Sequence, residues 1–350
     1  MSAERYLVVG GSGVTGGAIV RRLSGSGRTV TALSRSGPRT TDSIPHTVFL
    51  QGDISVEDGV PHGSLRDITH VVYAGYVDGV THADTTSRNA AMLRNLLHAL
   101  DQDGADVEHI QLIGGGKSYG EHLGPYRTPA KESDPRLLGP ILYNPQEDAI
   151  WDWADHHGAA WTVLRPDGVI GFGARSPMNI LAGVAAFAML SKSEGVPLRF
   201  PGSRGGWRAL HQATDARILA RAVEWAFSAP TARSQIFNVT NGDHFRWCNL
   251  WPDIAAFFEM PHAEPQPLDL EAHMHGRDAD WAELTAMRGL RESAFRDFVA
   301  WPFVDGWWRT EFDMVQSTIK IRQAGFVDCI DSHQSFIDHL SALRNERIIG

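Results

Sequence analysis

Three groups of residues have the types and spacing to do chemistry. The first is Gly10-Gly11-Ser12-Gly13-Val14-Thr15-Gly16, a G-x-x-G-x-x-G run lying between the apolar segment Tyr6 to Val9 and residues of helical composition such as Ala18, Ile19, Arg22 and Leu23. A strand that turns through glycines into a helix brings backbone N–H groups up to a pyrophosphate, and a Cβ would obstruct that approach. The run reads as a dinucleotide site with Gly10, Gly13, Val14, Thr15 and Gly16 as contacts. The second group is Ser34-Arg35-Ser36, at the end of the next apolar segment, where this kind of fold places an acid on the ribose of NAD. No acid is there. Arg35, flanked by two hydroxyls, can pair with a 2′-phosphate, so NADPH is the expected cofactor and NADH the alternative. Asp53 is a candidate adenine contact and reads equally as a strand-end turn residue. Ala74 and Gly75, closing the fourth apolar segment, complete the cofactor set.

The third group is a lysine and a tyrosine. A reductase of this fold commonly uses Tyr-x-x-x-Lys, in which the cation lies one helical turn from the phenol and lowers its pKa. The chain lacks that spacing: none of its six tyrosines is followed at the fourth position by one of its lysines, Lys117, Lys131, Lys192 and Lys320. Lys117 follows Gly114-Gly115-Gly116 at the carboxyl end of the fifth apolar segment, where α/β sheets make ligand contacts. The glycines would let this loop pass close to a cofactor. Tyr143 opens the helical stretch from Asn144 and can point into the same crevice. A buried lysine beside a tyrosine would stabilise phenolate and a developing enolate. From spacing alone, a surface lysine in a glycine turn and a tyrosine packed under a helix start fit as well.

These groups need a scaffold, and the apolar pattern supplies one. Segments at Tyr6 to Val9, Thr29 to Leu33, Thr47 to Leu50, His70 to Ala74, His109 to Ile113 and Trp161 to Leu164 alternate in part with helical stretches such as Asn89 to Leu100. Near-continuous apolar strands between helices predict an α/β fold, a Rossmann-type doubly wound parallel sheet covered on both faces. After about residue 172 the pattern loosens into helices at 179–189, 215–227 and 250–258, a strand at 235–239 and a Trp/Phe-rich tail. The expected division is an NADP(H)-binding domain over 1–171, with further elements from later segments, and a smaller, mostly helical, mainly substrate-binding lobe over 172–350.

Composition excludes several classes of partner. Forty-one acidic against 32 basic residues, net −9, leave no basic footprint for nucleic acid. The longest apolar run, Ile180 to Leu190, is about half of the ~20 residues a spanning helix needs, so no membrane partner is expected. The first residues carry no leader pattern, and Cys248 and Cys329 are too few for a disulfide framework, which suits a cytoplasmic protein. The histidines lack metal-site spacing, and no metal is expected. A homodimer is compatible with the sequence, which does not fix the oligomeric state.

Taken with the glycine loop, the motifs Gly116-Lys117-Ser118-Tyr119 with Gly124-Pro125, Leu142-Tyr143-Asn144-Pro145-Gln146-Glu147-Asp148, Trp161 to Pro166 with Gly171-Phe172, Met178-Asn179, Phe237 to Asp243, Phe245 to Trp247 and Trp301-Pro302-Phe303 resemble the progesterone 5β-reductase/iridoid synthase-like (PRISE) branch of the extended short-chain dehydrogenases/reductases. The resemblance spans nearly the whole chain. It implies an NADPH-dependent reductase of activated C=C bonds in 1,4-enones and enals, in which Lys117 and Tyr143 are catalytic and the partner is a small hydrophobic carbonyl substrate. By the same resemblance, Tyr76, Tyr119, Met178 and Phe303 lie near the nicotinamide. Two departures stand out: Arg35-Ser36 replaces a frequent pair of arginines, and Tyr143 is followed by Asn144 where plant members often have a second tyrosine. The alternatives are a carbonyl reductase, an epimerase-like enzyme, and a non-catalytic NADP(H)-binding sensor.

Overall fold

Strands that bury both faces have to be flanked by helices, and the apolar segments form such a sheet. The computed structural model describes residues 4–36, 43–173, 176–291 and 294–350. Seven parallel strands, β1 (Arg5–Val9), β2 (Thr29–Ser34), β3 (Thr47–Gln51), β4 (His70–Tyr73), β5 (His109–Ile113), β6 (Ala160–Pro166) and β7 (Gln235–Val239), lie in the order β7-β6-β5-β4-β1-β2-β3. The order reverses between β1 and β4, the switch point at which α/β sheets open a ligand crevice.

Alternate side chains of each strand go to opposite faces. Leu7, Val9, Val71, Tyr73, Ile110 and Leu112 pack in one cluster with residues of helices α2 (His82–Asp103) and α3 (Asn144–His157), among them Leu93, Leu96 and Ile150. Tyr6, His70 and His109 face the other way, each with its ring edge-on to Phe227 of the helix Ala216–Ser228. That helix also packs against α1 (Val14–Gly25), where Glu224 takes both Arg22 and Arg28. The chain therefore divides into two units, Met1–Asp167 with Ala216–Thr240 and Gln316–Asp328, and Gly168–Asp215 with Asn241–Val315 and Cys329–Gly350.

Helix α2 begins at His82, earlier than its apolar spacing suggests, because the Thr81 side chain accepts from Asp84 N–H and caps a first turn of polar residues. His109 is fully buried with Nε2 on the Thr162 hydroxyl at 2.9 Å, and burial pushes its pKa down to about 3. An unfolded histidine titrates near 6.5, so the unfolded chain binds the extra proton first and stability falls as pH drops from about 6.5 towards 3. The unfolding midpoint should decline on acidification across that window, and the decline should be shallower in His109→Gln.

In the second unit the helix Ile180–Ser193 is apolar on every side and buried from Ile180 to Ser191, so it has to be surrounded. Gly183 allows the close approach of the helix Trp301–Trp308, since a Cβ there would lie 2.6 Å from Val304 Cγ2. Phe200, Trp247, Trp251 and Trp308 are buried against one another with ring centroids 5.2 to 6.1 Å apart. The helix Trp247–Phe257 starts at the fully buried Trp247, one turn before the apolar spacing indicates. Trp301 and Trp308 of the Trp/Phe-rich tail are core residues.

Candidate active site

The glycine loop sits at the switch point. Gly10 has φ +77° and a Cβ there would lie 2.7 Å from the Ala74 carbonyl oxygen, so the ends of β1 and β4 run side by side only because Gly10 has no side chain. A Cβ on Gly16 would collide with the Gly10 carbonyl. Gly13 is different. It caps α1 without a side-chain hydrogen bond, and a Cβ on it would come no closer than 3.4 Å to the described chain. Nothing inside the protein demands a glycine there, and the first turn of α1 holds no acid. An uncapped helix N-terminus whose glycine is not crowded by the described chain fits an anionic group such as a pyrophosphate.

Around it lie the other candidate cofactor residues. Ser34 is buried at the end of β2 and the Arg35 side chain is exposed. The Asp53 carboxylate accepts from the Ser55 hydroxyl at 2.6 Å and the Ser55 N–H at 3.0 Å, which hold it below the usual carboxylate range. It closes its own turn. Gly75 follows Ala74, whose N–H bonds the Val9 carbonyl at 3.2 Å.

Lys117 and Tyr143 come from different elements. Lys117 lies on the single 3₁₀ turn Gly116–Tyr119 after β5, and Tyr143 immediately precedes α3. The three glycines before Lys117 make room chiefly for this chain's own groups. A Cβ on Gly115 would lie 3.0 Å from the Tyr143 hydroxyl, and one on Gly116 would overlap the Glu121 carboxylate. Tyr143 and Glu121 are thus seated over adjacent glycines. Lys117 Nζ donates to the Tyr76 hydroxyl at 3.1 Å and stands over its ring, while Tyr76 donates to Asp78. Beside Lys117 a cavity of ≈ 350 Å³ is lined by Tyr76, Thr81, His82, His122 and Leu142 among others.

Burial and then the Glu121 charge push the Tyr143 phenol up, so it stays protonated at neutral pH and is a hydrogen-bond donor, not a phenolate. Burial likewise pushes Tyr76 up, with Asp78 acting in the same direction.

Tyr119 has a different surrounding from Tyr76. It is 7% exposed, and its hydroxyl donates to Asn238 Oδ1 at 2.6 Å and accepts from Arg165 Nη1 at 3.2 Å. Arg165, on β6, places Nη2 2.6 Å and Nε 3.1 Å from Glu147 Oε1, and the second oxygen of Glu147 meets Arg136 at 3.1 Å. Glu147 lies one helical turn after Tyr143, and Tyr119 is two residues after Lys117. This buried ion pair therefore ties the lysine turn to the tyrosine helix. Met178 and Phe303 belong to the second unit: Met178 is 41% exposed, and Phe303 is packed on the core there.

Sequence reasoning did not single out Glu121. A carboxylate in a glycine-flanked turn four residues after the lysine was the available signal. Among the described residues no group of three His, Cys, Asp or Glu side chains gathers to hold a metal, and no helix is long and apolar enough to cross a membrane.

The profile of the PRISE-like Rossmann-fold domain family matches residues 51–327. The chain belongs to this family. This PRISE-like chain is 30% identical to a 3-oxo-Δ(4,5)-steroid 5-β-reductase of Arabidopsis thaliana, over 98% of the chain and 92% of that protein. It is 29% identical to an (S)-8-oxocitronellyl enol synthase of Camptotheca acuminata, with the same coverage. Membership makes it an oxidoreductase of the short-chain dehydrogenase/reductase superfamily. Its fold is shared with a UDP-glucose 4-epimerase of Thermotoga maritima at a TM-score of 0.68 and 16% identity, over 97% of this chain and 99% of that one.

Proposed function

We propose that the protein uses NADPH to reduce the activated C=C bond of a small, hydrophobic enone or enal. The observation that carries this reading is the placement of Lys117 and Tyr143 around one glycine turn, without a Tyr-x-x-x-Lys helix, in a member of a family whose matched relatives are named as a steroid 5-β-reductase and enol synthases. A bound reduced nicotinamide supplies the hydride for the β-carbon. Tyr143 donates its hydrogen bond to the carbonyl oxygen, where charge gathers as the enolate forms. The Lys117 ammonium, held by Tyr76, adds positive charge to the same region and would hold the cofactor ribose when the cofactor is bound. Solvent supplies the proton to the α-carbon. The uncapped start of α1 and Gly13 would hold the pyrophosphate, and Arg35 a 2′-phosphate. Tyr76, in the cavity beside Lys117, is the proposed apolar contact, and Tyr119 supports the lysine turn through its bond to Arg165.

The test is NADPH oxidation by purified protein with cyclohexenone, a linear enal and progesterone, the products identified by mass and by which double bond is lost. Loss of C=C with the carbonyl retained is the expected result, and an alcohol product would replace this reading with carbonyl reduction. In Gly16→Ala the new Cβ drives into the Gly10 carbonyl and deforms the loop. NADPH affinity, measured by fluorescence titration, should weaken by about tenfold or more, and the unfolding midpoint should fall as well, because the clash is with backbone that has to shift.

A further inference from the structure

Glu121 is the one charged group at the lysine turn that the proposed mechanism leaves without a part. Its carboxyl fills the space over Gly116, its Oε2 has no hydrogen-bond partner among the described residues, and it acts on both Lys117 and Tyr143. A carboxylate so placed would neutralise the ammonium and oppose negative charge on the phenol. A neutral carboxyl would do neither. We propose that Glu121 is a positioning residue whose protonation sets how much of the Lys117 charge is available to the enolate oxygen, so that reduction proceeds through the form with Glu121 protonated. This rests on the reading of Lys117 and Tyr143 given above.

Burial pushes Glu121 up to about 7 against the opposing pull of Lys117, so the carboxyl changes charge near neutrality. The groups facing it are Lys117, Tyr143, and, through Lys117, Tyr76 with Asp78. Beside it is His122, which burial and then Lys117 hold down at about 4, its ring 5.0 Å from that of His82 at the start of α2. With the folded-state value raised, the protonated form prevails below about 7 and is lost as pH rises through it.

The experiment is the pH dependence of kcat for an enone the wild-type protein reduces, with NADPH saturating. Wild type should lose about tenfold in kcat as pH rises through Glu121's titration, the size of one pKa unit of interaction. Glu121→Gln should be flat over that range at the wild type's low-pH rate, with Glu121→Ala as the second neutral variant, and His82→Asn should keep the wild-type limb. An unchanged limb in Glu121→Gln overturns the proposal, as does equal loss of rate at every pH with NADPH affinity and unfolding midpoint preserved. A second measurement needs no turnover: the ¹³C carboxyl shift of Glu121, assigned by its absence in Glu121→Gln. Its midpoint should lie near 7 and rise in Lys117→Met, which removes the opposing cation. A midpoint in the ordinary range near 4.3 overturns the proposal. If wild type reduces no enone while the carboxyl titrates near 7 and responds to Lys117→Met, the functional reading fails and the coupling of Glu121 to Lys117 stands.

Discussion

Tyr143→Phe should lower kcat for enone reduction by about 10²-fold or more while leaving NADPH binding and the unfolding midpoint close to wild type. The phenol is the proposed donor to the carbonyl oxygen, and removal of a single preorganised donor to developing negative charge costs about 10²–10³ in rate. Burial, the larger cause of its raised pKa, holds it protonated, so the donor is in place before substrate arrives. Phe keeps the ring over Gly115 and removes only the hydroxyl, which separates the chemistry from packing. Steady-state kinetics with separate kcat and KM values check this. Undiminished turnover in Tyr143→Phe would remove the phenol from the mechanism.

Glu147→Leu should be the most damaging substitution to both stability and turnover. Glu147 is fully buried and Arg165 is 5% exposed, so deleting the carboxylate strands a guanidinium with the Tyr119 hydroxyl as its remaining side-chain partner. Breaking a buried pair from one side costs about 3–5 kcal/mol, which lowers the melting temperature by about 6 to 20 °C in a unit of this size. Arg165→Met should cost less, because Arg136 still meets the second oxygen of Glu147. The double variant Glu147→Leu/Arg165→Met should recover much of the stability but not the rate, since Tyr119 and the helix that carries Tyr143 are no longer tied together. Thermal unfolding and kcat of the three variants test it. Equal losses in Glu147→Leu and Arg165→Met would show that Arg136 carries none of the charge balance.

The sheet was legible because a parallel strand buries both faces and so writes a near-continuous apolar run, as at Tyr6 to Val9 in β1; the bounds of β7 were also read at Gln235–Val239, but its place at the sheet edge beside β6 was not. The first turns of α2 were not legible, because His82 to Arg88 are polar apart from Ala83 and owe their helix to the Thr81 cap and to Asp84, which takes Arg88 at i,i+4. In the site, Lys117 was legible from its glycines, but the reason for those glycines was not. They admit a phenol and a carboxylate that arrive from elsewhere in the chain, and no periodicity records such a long-range fit. The direction of the Tyr143 shift was not readable for the same cause, since it depends on burial and on Glu121. In the second unit the individual helices were visible but their aromatic packing was not, because Phe200, Trp247, Trp251 and Trp308 meet only after the chain has folded back on itself.

The return of Ala216–Thr240 and Gln316–Asp328 to the first unit has a bearing on synthesis. When a ribosome has released the chain as far as Asp167, six of the seven strands exist, but the helix that covers Tyr6, His70 and His109 has not been made. The nascent sheet carries one open face and an unpaired edge on β6, where β7 has yet to dock. In that interval the open face and edge are available for off-pathway association. No single cut in the chain can release the first unit as a finished fragment.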